Sequence, residues 1–134
     1  MTPARMAALH AAAMDTRPWS ADEFQSLIAS GARAIGDPRA FVLYRVTADE
    51  AELLTIATHP HHRRQGLARA RLDELHAATR NAGAARIFLE VASANAPARA
   101  LYAAAGYRDV GRRPDYYRLG DGTFDAAIVM ERPL

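Results

Sequence analysis

Four places in the chain carry residue types whose spacing suits chemistry. The first is His59-Pro60-His61-His62-Arg63-Arg64-Gln65-Gly66-Leu67-Ala68, where a strand-like run ends and an amphipathic segment begins after two arginines and a glycine. A helix N-terminus presents unpaired N–H groups and the positive end of the helix dipole, and glycine lets a ligand approach the backbone closely. That arrangement suits a pyrophosphate, although an ordinary helix start with solvated arginines has the same pattern. The second is Glu90, set inside Ile87-Phe88-Leu89-Glu90-Val91, a run expected to be buried on both faces of a sheet. A carboxylate there needs a partner or a raised pKa, and either makes it a candidate base; the alternative is a glutamate at the sheet rim. The third is Asn95, ahead of Ala96-Pro97, which marks a helix entry and whose plain role is capping. The fourth is Tyr102, on the helix that follows, where core packing with a satisfied hydroxyl is the plain reading. His59, His61 and His62 invite a metal, but with no cysteine and no acidic residue among them they form no compact ligand set. His10 and His76 stand too far apart in sequence to complete one, so no metal is expected.

These residues need a frame to position them. Pro3 to Met14 reads as an alanine-rich helix and Arg17-Pro18-Trp19-Ser20 as a break. Ser20, with Glu23 three residues on, forms a capping box that opens a second helix through Ile28, and Gly31 ends it. Ala32 to Ile35 is a short strand, Gly36-Asp37-Pro38 a turn, and Ala40 to Val46 a strand. Ala48-Asp49-Glu50 then makes a hairpin connection into a strand over Glu52 to Thr58. The second half alternates: helix Gly66 to Ala82, strand Arg86 to Ala92, helix Ala98 to Ala105, strand Tyr107 to Gly111. Pro114 to Gly122 reads as a loop and Phe124 to Glu131 as the closing strand. Hairpin strands followed by alternating strands and helices predict an α/β (α+β) fold, a mixed sheet with helices on its faces.

Composition narrows the chemistry. At 134 residues, 50% apolar with 31 alanines, the chain is expected to form a single domain over residues 1–134 around one compact core. All 17 basic residues are arginine, and there is neither lysine nor cysteine. Schiff-base and P-loop lysines, thiolate nucleophiles, disulfides and zinc–thiolate sites are therefore excluded, while zero cysteines fit any redox compartment. No apolar run approaches ~18 residues, so no membrane span is expected. The alanine-rich start, broken by Met6, His10 and Asp15, does not resemble a signal peptide; a soluble, cytoplasmic chain is the expectation. The pI near 9.4 on a net charge of +2 reflects arginine's high pKa, and no zinc-finger, basic-zipper or RNP pattern accompanies it. Nucleic acid is accordingly not an expected partner.

With these residues in hand the chain resembles a family. Arg63-Arg64-Gln65-Gly66-Leu67-Ala68 matches the Arg/Gln-x-x-Gly-x-Gly/Ala signature of the GNAT acetyltransferases. Ile56-Ala57-Thr58-x-Pro60, Phe88-Leu89-Glu90-Val91, Asn95-x-x-x-Arg99-Ala100-Leu101-Tyr102, Gly106-Tyr107, Arg112-Arg113-x-x-Tyr116-Tyr117 and Asp125-Ala126 resemble its RimI branch, as does Pro18-Trp19-Ser20. The resemblance implies the GNAT fold, a mixed and mostly antiparallel central sheet flanked by helices, here with a first strand that is short or missing. It implies acetyl-CoA as cosubstrate, lying on the backbone of Ile56, Ala57 and Thr58, the loop of Arg64, Gln65, Gly66, Leu67, Ala68 and Arg69, and the Asn95 side chain. It implies Glu90 as general base, Tyr102 as general acid, and direct attack in a ternary complex, which the missing cysteine suits. The acceptor so implied is the N-terminal alanine α-amine of a small-subunit ribosomal protein. Phe124 departs from the branch, which usually carries glutamate before Asp-Ala. Two rival readings are a lysine or small-amine acetyltransferase of the same fold and a silent module that binds CoA or a protein partner; Glu90 and Tyr102 argue against silence.

Overall fold

The computed structural model describes residues 1–14 and 17–134; Asp15, used above against a signal peptide, lies outside the described residues. The chain opens with α1 (Pro3–Ala13) and α2 (Ala21–Ala29), and continues through β1 (Arg33–Asp37), β2 (Ala40–Thr47) and β3 (Glu50–Thr58). A single 3-10 turn at Pro60–His62 leads into α3 (Leu67–Asn81), then β4 (Arg86–Ala92), α4 (Ala96–Ala104), β5 (Arg108–Arg118) and β6 (Phe124–Pro133). Local chemistry accounts for the helix starts. Thr2 accepts from the Arg5 N–H ahead of Pro3, Ser20 and Glu23 exchange both capping-box bonds, and Asn95 accepts from the Ala98 N–H beside Pro97. Among the described residues no strand precedes α1, and no helix is long and apolar enough to cross a membrane.

Among the described residues six strands form one sheet in the order β1-β2-β3-β4-β6-β5, all antiparallel except the β3–β4 pair. Helix α3 makes the crossover that a parallel pair requires. One apolar cluster joins Leu72, Leu75, Ile87, Leu89, Val91 and Tyr102 on one face of the sheet; another joins Met6, Leu9, Phe24, Phe41, Leu43 and Ala57 on the α1–α2 side. Strand β3 changes sides along its length. Ala51 and Leu53 belong to the first cluster and Ala57 to the second. The cause is a β-bulge: Tyr44 pairs with Leu53 and Leu43 with Thr55, so Leu54 is an extra residue.

Three expectations are corrected. Strand β5 runs on through Arg118 instead of ending at Gly111, so Pro114 lies in a strand and not in a loop. At a sheet edge proline's missing N–H costs no ladder bond, and a register shift between Arg113 and Tyr117, with Asp115 at φ +52°, absorbs the break. The connection shrinks to the turn closed by Leu119 N–H donating to the Thr123 carbonyl. Gly36 and Asp37 belong to β1, and the turn is Pro38-Arg39. Gly36 sits at φ +139°, where a Cβ would overlap the Ala40 carbonyl. Helix α4 begins at Ala96, two residues earlier than its apolar pattern.

Candidate active site

The bulge at Leu54 coincides with the end of β3–β4 pairing. Parallel register runs from Glu50↔Arg86 to Leu53↔Leu89, yet β3 continues to Thr58 and β4 to Ala92. Beyond Leu53 the two strands part, and the inner edge of β3 from Leu54 to Thr58 faces a cavity of about 340 Å³. Ile56, Ala57, Thr58, Glu90, Asn95 and Tyr102 all line it. An open strand edge offers alternating N–H and C=O groups to an extended, amide-bearing ligand.

Glu90 is not buried on both faces as its sequence suggested. In β4 Ile87, Leu89 and Val91 are buried while Phe88, Glu90 and Ala92 are only partly so: the first three belong to the apolar cluster with Leu72, and Glu90 and Ala92 line the cavity. The Glu90 side chain is 25% exposed, and its Oε1 accepts from Arg113 Nη1 at 2.8 Å. The Arg113 guanidinium in turn lies 4.0 Å over the Tyr116 ring. Glu90, Trp19, Leu54 and Tyr117 also border a second, larger cavity of about 740 Å³ that reaches Glu52 and Arg113. Glu90 thus stands where the two cavities meet. Burial raises the Glu52 carboxyl pKa, with Arg45 opposing and the Glu90 charge adding.

Tyr102 stands on α4 with 5% of its surface exposed. Burial pushes its hydroxyl pKa up, with Tyr117 adding, so it keeps its proton throughout the neutral range. Tyr117, on β5, is itself pushed up to about 12, chiefly by burial. Asn95 does cap α4, its Oδ1 accepting from the Ala98 N–H at 3.3 Å, and it borders the cavity as well.

The loop before α3 lies past the cavity and is not part of its lining beyond Arg63. Gly66 caps α3 at φ +74° without any side-chain cap bond, so the first-turn N–H groups carried by Leu67, Ala68 and Arg69 stay available. A Cβ at Gly66 would meet nothing within 4 Å, and Arg64 is likewise left-handed at φ +62°. The Arg64 and Gln65 side chains are exposed. The Arg69 side chain is engaged elsewhere: it donates to the Ala104 carbonyl at 3.1 Å and pairs with Asp73. Its backbone N–H therefore suits an anion better than its guanidinium does. The residues present thus fit an extended ligand ending in a pyrophosphate: an unpaired strand edge leads to an uncapped helix start. His59, His61 and His62 pack on one another, with the His61 N–H donating to His59 Nδ1. Among the described residues no group of three or more histidines and acids is arranged for a metal.

The Acetyltransferase (GNAT) family model matches residues 3–107. The chain belongs to this family. Among GNAT proteins, the ribosomal protein bS18-alanine N-acetyltransferase of Escherichia coli (strain K12) is 39% identical over 124 residues, covering 87% of this chain and 82% of that protein. The corresponding enzyme of Haemophilus ducreyi is 32% identical over 91 residues, 68% of this chain and 63% of its own. The crystal structure of the ribosomal-protein-S18-alanine N-acetyltransferase from Escherichia coli superposes with a TM-score of 0.87 at 34% identity, covering 96% of this chain and 85% of that one. At 21% identity, Ard1 from Thermoplasma volcanium shares the GNAT fold with a TM-score of 0.82.

Three cavity features escaped the sequence reading: the Arg113 partner of Glu90, Glu52, and His10, whose Nε2 lies 3.1 Å from Thr55 Oγ1. For His10 no sequence signal exists, since its partner is 45 residues away. Arg113 belongs to the Arg112-Arg113-x-x-Tyr116-Tyr117 motif, but its contact with Glu90 needs β5 to continue past Gly111.

Proposed function

We propose that the chain, as one acetyltransferase domain over residues 1–134, transfers acetyl from acetyl-CoA to the N-terminal alanine α-amine of a small-subunit ribosomal protein of the bS18 kind, in the cytoplasm. The observation that carries this reading is Glu90 and Tyr102 lining one cavity where β3 and β4 part. Acetyl-CoA, when bound, supplies a thioester. The β3 edge at Ile56, Ala57 and Thr58 would hold the pantetheine amides, the start of α3 from Arg64 to Arg69 the pyrophosphate, and Asn95 the chain between them.

The attacking amine must be neutral, and an N-terminal amine with pKa near ~8 is mostly protonated at neutral pH. Glu90 removes its proton, directly or through water. Arg113 occupies Oε1, which leaves Oε2 to receive that proton. Strand N–H groups near Ala57 hold the thioester carbonyl oxygen as negative charge develops on it. Tyr102, protonated and buried at the cavity wall, gives its proton to the departing sulfur. The C–N bond forms first; as the carbonyl re-forms the C–S bond breaks, the nitrogen's remaining excess proton passes through water to restore the Tyr102 hydroxyl, and no acyl group passes through the protein. Each proton transfer contributes on the order of 10²–10⁴-fold.

Two peptides test the reading: one beginning with free alanine, the other with a blocked N-terminus and an internal lysine. Mass spectrometry should place the acetyl group on the α-amine of the first and leave the second much poorer. Label chiefly on the lysine refutes the acceptor assignment.

A further inference from the structure

We infer that the Thr55 hydroxyl donates a hydrogen bond to the first carbonyl oxygen of the acceptor, and so separates an α-amine from a side-chain amine. The inference rests on the acceptor reading above and deepens it. It begins with a donor that cannot reverse. The Trp19 backbone N–H points at His10 Nδ1 at 3.0 Å, and a backbone N–H only donates. Nδ1 is therefore the unprotonated ring nitrogen, and in a neutral imidazole Nε2 carries the proton. Nε2 lies 3.1 Å from Thr55 Oγ1, so the histidine donates and the threonine accepts. The hydroxyl's own proton must then point elsewhere. The Thr55 hydroxyl has no other hydrogen-bond partner among the described residues, and Thr55 is one of the residues that line the cavity.

The relay is fixed by packing. His10 is 3% exposed, stacked on Trp19 at 5.1 Å between ring centres and edge-on to Phe24 at 5.5 Å. Burial lowers its pKa to about 4, with Glu23 opposing and Arg17 adding, so the neutral ring and its direction persist at ordinary pH. His10 is a positioning residue, and Thr55 is the group that meets the ligand.

Placement identifies that ligand. The last β3–β4 pair is Leu53↔Leu89, so Leu54 and Thr55 are the next residues across the gap from Glu90. The bulge turns Thr55 toward α1 and Trp19, away from the α3 side where the uncapped helix start lies. An α-amine waiting beside Glu90 carries its own carbonyl oxygen about 3 Å from the nitrogen, by ordinary bond lengths. A lysine ε-amine carries no carbonyl there. A donor opposite Glu90 therefore recognises the first residue of a chain.

The experiment compares wild type, Thr55→Val, Thr55→Ser and the double variant His10→Phe/Thr55→Val. The acceptors are an alanine-initiated peptide and isopropylamine, which has the same substituted amine carbon without the carbonyl. Thr55→Val should raise the peptide KM by about 3- to 10-fold, as for a neutral hydrogen bond, and leave both isopropylamine turnover and the acetyl-CoA KM unchanged. Thr55→Ser should restore the peptide KM. Because His10 acts through Thr55, the double variant should match Thr55→Val in peptide KM. An equal loss on both acceptors assigns the hydroxyl to the thioester and overturns the inference, as does an unmoved peptide KM. A further loss in the double variant overturns the relay. A wild-type enzyme that leaves the peptide unmodified refutes the acceptor reading itself, whereas wild-type activity with an unresponsive Thr55→Val refutes this inference alone.

Discussion

Lowering the pH from 8 to 5 should weaken folding through His10 and His76, which the core holds in their neutral forms. Burial is the main cause at both sites and brings each pKa from 6.5 to about 4; at His76 the Arg132 charge adds and Asp73 opposes. The sign follows from proton binding. Below pH 6.5 the unfolded chain takes up protons that the folded chain refuses until pH 4, so stability is complete above that window and falls through it. At pH 5 an unfolded histidine is almost fully protonated and a buried one hardly at all, which costs ~2 kcal/mol for each, or ~4 kcal/mol together. Against a typical domain stability of about 5–15 kcal/mol the effect is large. The carboxylates held low do not share the window: Glu23, at about 2 beside Arg17, and Asp37, held lower still by Arg39, lose their contribution only at more acidic pH. The assay is urea unfolding at half-unit steps from pH 8 to 5. Between pH 6 and 5 the two histidines together should contribute a slope approaching two protons, less what the raised Glu52 carboxyl takes up in the folded state. His76→Gln, which can still meet the Tyr107 hydroxyl, should lower the slope by about one. A stability flat from pH 7.5 to 5, or a slope indifferent to that substitution, would refute the placement of these rings in the core.

Glu90→Gln should lower kcat/KM by ~10²–10⁴-fold and recover partly as rising pH deprotonates the acceptor unaided, whereas Tyr102→Phe should lose activity without such recovery; pH–rate profiles of both variants check this, and near wild-type turnover in Tyr102→Phe with chemistry rate-limiting returns Tyr102 to core packing. Leu72→Ala, at a fully buried position between α3 and the sheet, should cost roughly 2–5 kcal/mol by chemical denaturation.

What could be read from sequence was local. The Ser20–Glu23 capping box, the β2 and β4 strands and the glycine-marked start of α3 each depend on neighbours within a few residues, and all appear where their patterns put them. The candidate base and acid were also legible, Glu90 as a charge in an apolar strand and Tyr102 through a family motif. The failures were of two physical kinds. Proline, aspartate and glycine between Pro114 and Gly122 favour turns, but an edge strand tolerates Pro114 and Asp115, so β5 ran on to Arg118 and only the glycines and Asp121 stayed in the turn. Contacts between distant segments, Arg113 with Glu90 across 23 residues and His10 with Thr55 across 45, leave no periodic trace.

The bulge in β3 lies between these cases, and it ties fold to site. In Glu50-Ala51-Glu52-Leu53-Leu54-Thr55 the polar–apolar alternation holds to Leu53 and then repeats an apolar residue. A doubled leucine in a strand has two meanings: a segment buried on both faces, or one extra residue that reverses the alternation. Pairing decides for the second, since Tyr44 meets Leu53 and Leu43 meets Thr55. One inserted residue then has three consequences. It moves Ala57 to the α1–α2 core, it turns Thr55 toward His10, and it falls where β3 leaves β4. The phase break at Leu53-Leu54 is therefore the sequence mark of the place where the sheet opens, and Glu90 stands across the gap because β4 keeps its own alternation unbroken.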